Sequence, residues 1–174
     1  MTPKTKTCLV ACSVFKDEIK KLIEQNELDA EMVFVSKYFH VDYTQTEKNL
    51  RLVIEHSLER YPGNVILVYG DLCLGMNDQM NKLAEEYGIV KIDALNCVDC
   101  QLGGKGKYLE ADPNQDLFLD LRGIVILDTL GNYSELIEDI NKLDTGLEIL
   151  ETRNVGCESV KKVIQEAIEK KPKN

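Results

Sequence analysis

Val65-Ile66-Leu67-Val68-Tyr69-Gly70, the stretch "VILVYG" at residues 65–70, decides the fold. It is short, rich in β-branched residues and apolar on both faces. A strand of that kind suits the middle of a parallel sheet. "YPGN" at 61–64 breaks the chain before it. Upstream, Leu50, Val53, Ile54, Leu58 and Tyr61 give one apolar helical face, with Thr44 and Glu47 as a capping box. Downstream, Met76, Met80, Leu83, Ala84 and Tyr87 mark another helix, stopped by Gly88.

The alternation continues outward. "TCLVACSVF" (7–15) and "AEMVFVSKYF" (30–39) read as strands, separated by a helix carrying Phe15, Ile19, Leu22 and Ile23. "IVKIDAL" (89–95), "GIVILDTL" (123–130) and "LEILETRN" (147–154) read as three more. Asn132 and Glu135 cap a helix around "YSELIEDINKL", and Val160, Val163, Ile164, Ala167 and Ile168 form a terminal amphipathic helix. The pattern predicts an α/β fold, Rossmann-like. It has a mostly parallel twisted sheet of five to six strands and helices on both faces. One domain spans 1–174, with 106–122 an inserted loop or hairpin and 131–174 a C-terminal elaboration.

Composition narrows the function classes. Acidic residues outnumber basic ones 30 to 21, for a net charge of −9. A polyanion-binding surface needs a basic excess, so nucleic acid is not an expected partner. No apolar run approaches the ~18 residues that span a bilayer, so no membrane association is expected. The N-terminal "MTPKTKTCLVACSVF" lacks a small-x-small cleavage site and reads as a buried strand rather than a signal peptide. The expected compartment is the cytoplasm, where the six cysteines would be thiols or metal ligands.

Cysteine positions carry the functional reading. In an open parallel sheet, ligands bind outside the carboxyl ends of the strands. Cys12 ends the first strand, His40 the second; Cys73 follows the third, and Cys97 and Cys100 follow the fourth. Cys8 lies inside a strand and Cys157 near the terminal helix, as packed thiols would. Thiolate and imidazole suit zinc, and four thiolates suit an iron–sulfur cluster. Against this stands the bland alternative that cysteine is a common core residue. The Cys97-Val-Asp-Cys100 motif is followed by "QLGGKGKY", whose glycines make a poor first helical turn, which argues against a thioredoxin-like motif. The glycine turn, with Gly103 and Gly104, lets backbone approach a ligand such as a phosphate or cofactor tail. Asp71 and Asp99 either orient groups at a metal or cap turns. Tyr69 reads as packing.

The motif order is itself informative. "ACSVFKDEI" (11–19), "SKYFH" (36–40), "YGDLCLG" (69–75) and "VDCQLGG" (98–104) come in that sequence. Together they resemble the prokaryotic domain of unknown function 1638 family, whose members are associated with corrinoid-dependent methyl-transfer systems in methanogens and anaerobic bacteria. The resemblance covers roughly residues 8–130. It implies a site of Cys12, His40, Cys73 and Cys100, with Gly70, Gly75, Asp99 and Gly103 beside them. Leu74 intervenes between Cys73 and Gly75, and Cys97 lies outside the pattern. The expectation is zinc held by Cys12, Cys73 and Cys100, with His40 or Cys97, activating a small thiol towards a methyl donor. The partners implied are a corrinoid protein or a methyltransferase subunit; the oligomeric state is left open. Two alternatives stand beside it. One is a non-catalytic carrier of metal, cluster or corrinoid. The other is an iron–sulfur protein using Cys12, Cys73, Cys97 and Cys100.

Overall fold

The computed structural model describes residues 6–37, 42–114, 123–142 and 148–171. At its centre is β1 (Thr7–Cys12), every residue of which is buried. β1 lies between β2 (Ala30–Val35) and β3 (Val65–Val68), and pairs with both in parallel. A two-residue β4 (Val90–Lys91) extends the sheet beyond β3, giving the order β2-β1-β3-β4. β3 is buried at all four positions. Each Val, Leu or Ile side chain so covered contributes about 1.5–3 kcal/mol.

Helices cover both faces. α1 (Lys16–Glu24) and α7 (Glu158–Glu169) pack together on one; α2 (Tyr43–Arg60) spans β1, β2 and β3 on the other. Strand alternation fixes which residue meets which helix. Cys8 hydrogen-bonds Ser57 of α2, whereas neighbouring Thr7 accepts from Lys171, just past α7. α3 (Gln79–Glu86) joins α2 through Arg51, whose guanidinium grips Glu86 at 2.8 and 3.0 Å and also meets Glu47.

Several expected boundaries move. α2 is capped by Asp42, whose Oδ1 accepts from Thr44 and Gln45 N–H groups at 2.9 and 3.1 Å, so Thr44 is inside the helix rather than its cap. Met76 lies outside α3 and is 82% exposed, because the left-handed turns at Gly75 and Asp78 interrupt the helical path.

The larger correction concerns the sheet. β5 (Gly123–Asp128) and β6 (Glu148–Asn154) form a separate two-stranded parallel sheet instead of extending the first to five or six. Hydrogen bonding at β4 gives the reason. Ile92 N–H points inward to Leu67 O, so the Asp93 carbonyl faces the outer edge, and Lys105 N–H takes it at 2.9 Å. The glycine-rich turn therefore occupies the edge that a fifth strand would need. Residues just after β5 bond to the helices that flank the first sheet: Lys21 Nζ of α1 donates to Leu130 O, Thr129 Oγ1 to buried Glu18 of α1, and Cys157 Sγ at the start of α7 to Thr129 O. Of the expected 106–122 insertion, Lys107–Ala111 form a short helix, α5, and residues 115–122 lie outside the described residues. α6 spans Tyr133–Lys142. Among the described residues no helix is long and apolar enough to cross a membrane.

Candidate functional site

From β1 the chain winds outward to β2, then returns across β1 to β3. The direction of winding thus reverses between β1 and β3. Such a reversal splays the following loops apart and leaves a crevice at the carboxyl ends of the strands. Cys12 is the last residue of β1, and Cys73 sits in a 3₁₀ turn (Asp71–Leu74) just after β3. Cys97 and Cys100 lie on α4 (Cys97–Leu102), which follows β4.

These four thiols share one electrostatic environment. Cys97 acts on Cys12, Cys73 and Cys100; Cys12 acts on Cys73, and Cys73 on Cys100. Burial raises all four above the ordinary thiol range, and each neighbouring thiol adds to the cost of a second negative charge. Cys73 is pushed up to about 12. Opposing this, backbone N–H groups are directed at three of the sulfurs: Val14 at Cys12, Gly70 at Cys73, and Val98 with its own N–H at Cys97. Tyr69, fully buried, lies near Cys12 and Cys73. A pocket of about 180 Å³, lined by Tyr43, Leu72, Cys73, Asn96 and Cys97, gives access to two of the thiols. Tyr43 also borders a second hollow of about 400 Å³ with Leu74, Gly75 and Met76.

Gly70 is what lets the two loops meet. A Cβ there would lie 2.5 Å from Leu95 O and 2.6 Å from Asn96 N and Cα. With glycine, the backbones close up: Asp71 N–H reaches Ala94 O and Leu72 N–H reaches Leu95 O, both at 2.9 Å. Asn96 then caps α4, its Oδ1 accepting Asp99 N–H at 2.9 Å. Cys97 is therefore the first residue of a helix, contrary to the expectation that the glycines would prevent one; they end it instead. Gly103, at φ +104°, is the left-handed C-cap. Helix entry does not make Cys97 a reactive thiolate, because burial outweighs the N–H groups at its sulfur.

Four residues expected at a ligand have structural duties. Asp99 is completely buried, and its carboxylate accepts N–H bonds from Leu95, Gly106 and Tyr108 at 2.9, 2.9 and 2.6 Å. It builds the turn rather than facing a metal. Gly103 and Gly104 lie against Ser159 and Val163 of α7, so the glycine turn packs on that helix. Asp71 is held between Lys91 and Lys105 at 2.5 and 2.7 Å. Burial alone would raise its carboxyl, but the two lysines outweigh it and hold it below the usual carboxylate range. Neither lysine is distinctive in the sequence, since pairing across β3, β4 and the glycine turn leaves no local signal.

His40 lies outside the described residues. Among the described residues, no group of three or more His, Cys, Asp or Glu side chains is arranged to hold a metal ion. The four thiols are neighbours without preformed ligating geometry. Their chemistry nevertheless suits a soft cation: four sulfurs from three strand ends, with N–H donors that would stabilise thiolates. Cys8 and Cys157 stand apart, bonded to Ser57 and to Thr129 O. No family model, curated protein or solved structure matches this chain.

Proposed function

We propose that the chain binds a soft metal ion through Cys12, Cys73, Cys97 and Cys100, with zinc the first candidate and His40 a further donor. One observation carries the reading: four thiols gather at the switch point of the sheet, and N–H groups are directed at three of their sulfurs. Metal-free, the buried cluster resists ionisation; a cation would relieve the mutual repulsion and displace protons as it bound. Bound zinc would hold the sulfurs as thiolates and, with an open position, lower the pKa of an entering thiol. The pocket beside Cys73 and Cys97 supplies a route for such a thiol.

A role in corrinoid-linked one-carbon metabolism, as enzyme or as accessory protein to a methyltransferase, rests on the motif resemblance. A reducing compartment such as the cytoplasm fits thiols that form no disulfide. The second reading is an iron–sulfur cluster, favoured by one detail: Cys97, absent from the family pattern, shares the environment of the other three thiols.

Anaerobic purification with metal analysis and a visible spectrum tests both. Colourless protein with about one zinc per chain supports the first reading. Brown protein with iron and sulfide supports the second. Protein that takes up neither zinc, cobalt(II) nor iron and sulfide under anaerobic conditions overturns both. Turnover of a methyl-corrinoid with a thiol then separates enzyme from accessory protein.

A further inference from the structure

The carboxyl ends of β5 and β6 hold a cavity of about 360 Å³, lined by Asp128, Thr152, Arg153 and Asn154. Parallel sheets take ligands at this end of their strands. A bulge decides which side chains stand there. Ile124 pairs with Ile149 but Val125 with Glu151, so Leu150 is an extra residue in β6. Without it, Asp128 would stand beside Arg153, a cation to pair with. With it, Asp128 stands beside Asn154, and Ile126 beside Thr152. Partners in register share a face, so two uncharged hydrogen-bonding side chains flank the Asp128 carboxylate. Arg153 bonds to Glu151 and to Ala111 O instead. Asp128 is only 4% exposed, and its Oδ1 is taken by the N–H groups of Leu130, Gly131 and Asn132. Among the described residues nothing bonds its Oδ2, the Thr152 hydroxyl or the Asn154 amide. A carboxylate oxygen set so deep is costly unless a donor meets it.

We propose that this cavity binds a neutral polyhydroxylated ligand, a free sugar or the ribose of a nucleoside, through Asp128, Thr152 and Asn154. An alcohol both donates and accepts. One hydroxyl can donate to Asp128 Oδ2 and accept from the Asn154 amide, while its neighbour meets the Thr152 hydroxyl. An anion would face the Asp128 carboxylate, with Arg153 already held by Glu151. An ammonium group offers donors only and leaves the Asn154 NH₂ without an acceptor. The volume falls within the range of small-molecule sites, about 300–1,000 Å³. This site is separate from the thiols and needs no metal.

The probes are D-ribose, D-glucose and adenosine, titrated to millimolar concentrations. The NMR signals of the Leu130, Gly131 and Asn132 amides are the readout, because these groups bond to Asp128. At least one probe should shift them saturably. A response to the sugars alone identifies a free saccharide, and a response to adenosine alone a nucleoside. Asp128→Asn keeps an oxygen for the three N–H groups but replaces Oδ2 with a donor, so it should weaken binding about tenfold. Thr152→Ala and Asn154→Ala, at exposed positions, should each weaken it about threefold and leave the fold intact. The inference fails if no probe moves these amides, or if Asp128→Asn folds and binds as tightly as the wild type. It fails too if the dideoxy analogue of adenosine, stripped of the ring diol, acts as strongly as adenosine, or if methylammonium acts where the three probes do not. Should Asp128→Asn not fold, undiminished affinity in both the Thr152 and Asn154 variants overturns it. Metal uptake at the thiols stands or falls separately.

Discussion

The ends of β1 and β3 can be set against the end of β5, because both regions gather backbone N–H groups and use them differently. At β5 the chain supplies its own anion. Asp128 Oδ1 accepts from Leu130, Gly131 and Asn132 N–H groups at 3.2, 2.7 and 3.1 Å, and its carbonyl accepts from Val155 and Gly156. The donors there are consumed, and the turn is closed. At the ends of β1 and β3 the donors meet sulfur instead, and the thiols resist ionisation. Asp99 repeats the Asp128 device one layer out, holding the loop that carries Cys97 and Cys100. The contrast separates turns that are complete in themselves from a group of thiols that, on the proposed reading, a soft cation would complete.

The comparison can be broken most sharply at Asp99. Asp99→Ala leaves three part-buried N–H groups without their acceptor and should cost about 4 kcal/mol, read as a lower urea midpoint. Cobalt uptake should fall with it, since α4 loses its anchor. Gly70→Ala should cost about 3 kcal/mol, because the added methyl meets rigid backbone rather than a side chain that can turn aside. Its diagnostic feature is loss of cobalt binding in protein that still folds, as the loop bearing Cys97 and Cys100 is pushed from Cys12 and Cys73. Asp128→Ala should cost about 2 kcal/mol through the same kind of lost acceptor. Here cobalt affinity should stay at the wild-type value; a tenfold loss would show that the two regions are coupled.

Over a single pH unit, alkaline pH supplies the smallest effect. The folded Cys73 thiol sits at about 12 against an ordinary 9.0. Between those values the fold retains a proton that the unfolded chain has released, so stability falls as pH rises and is unaffected below that window. Each thiol held up in this way removes about 1.4 kcal/mol per pH unit. Urea titrations at neutral and alkaline pH check the slope, which should become shallower in Cys73→Ala.

Much of the fold was legible because its signals are local. "VILVYG" announces a strand buried on both faces, and the structure buries Val65 to Val68 completely. The separation of Cys8 and Cys157 from the other cysteines was legible too, from their places relative to strand ends. What stayed hidden depends on residues far apart in the chain. Lys91 and Lys105 meet at Asp71 across separations of 20 and 34 residues. Asp99 looked like a site carboxylate because a side chain turned towards backbone N–H groups has the same sequence as one turned towards a metal.

Sequence by itself determined the alternation of strands and helices, and which cysteines fall at strand ends, since periodicity and chain order are local properties. Tertiary structure decided the rest. It split six expected strands into sheets of four and two, because the Lys105 N–H takes the edge carbonyl of Asp93. It placed Cys12, Cys73, Cys97 and Cys100 together, because the winding reverses between β1 and β3 and Gly70 lets two backbones touch.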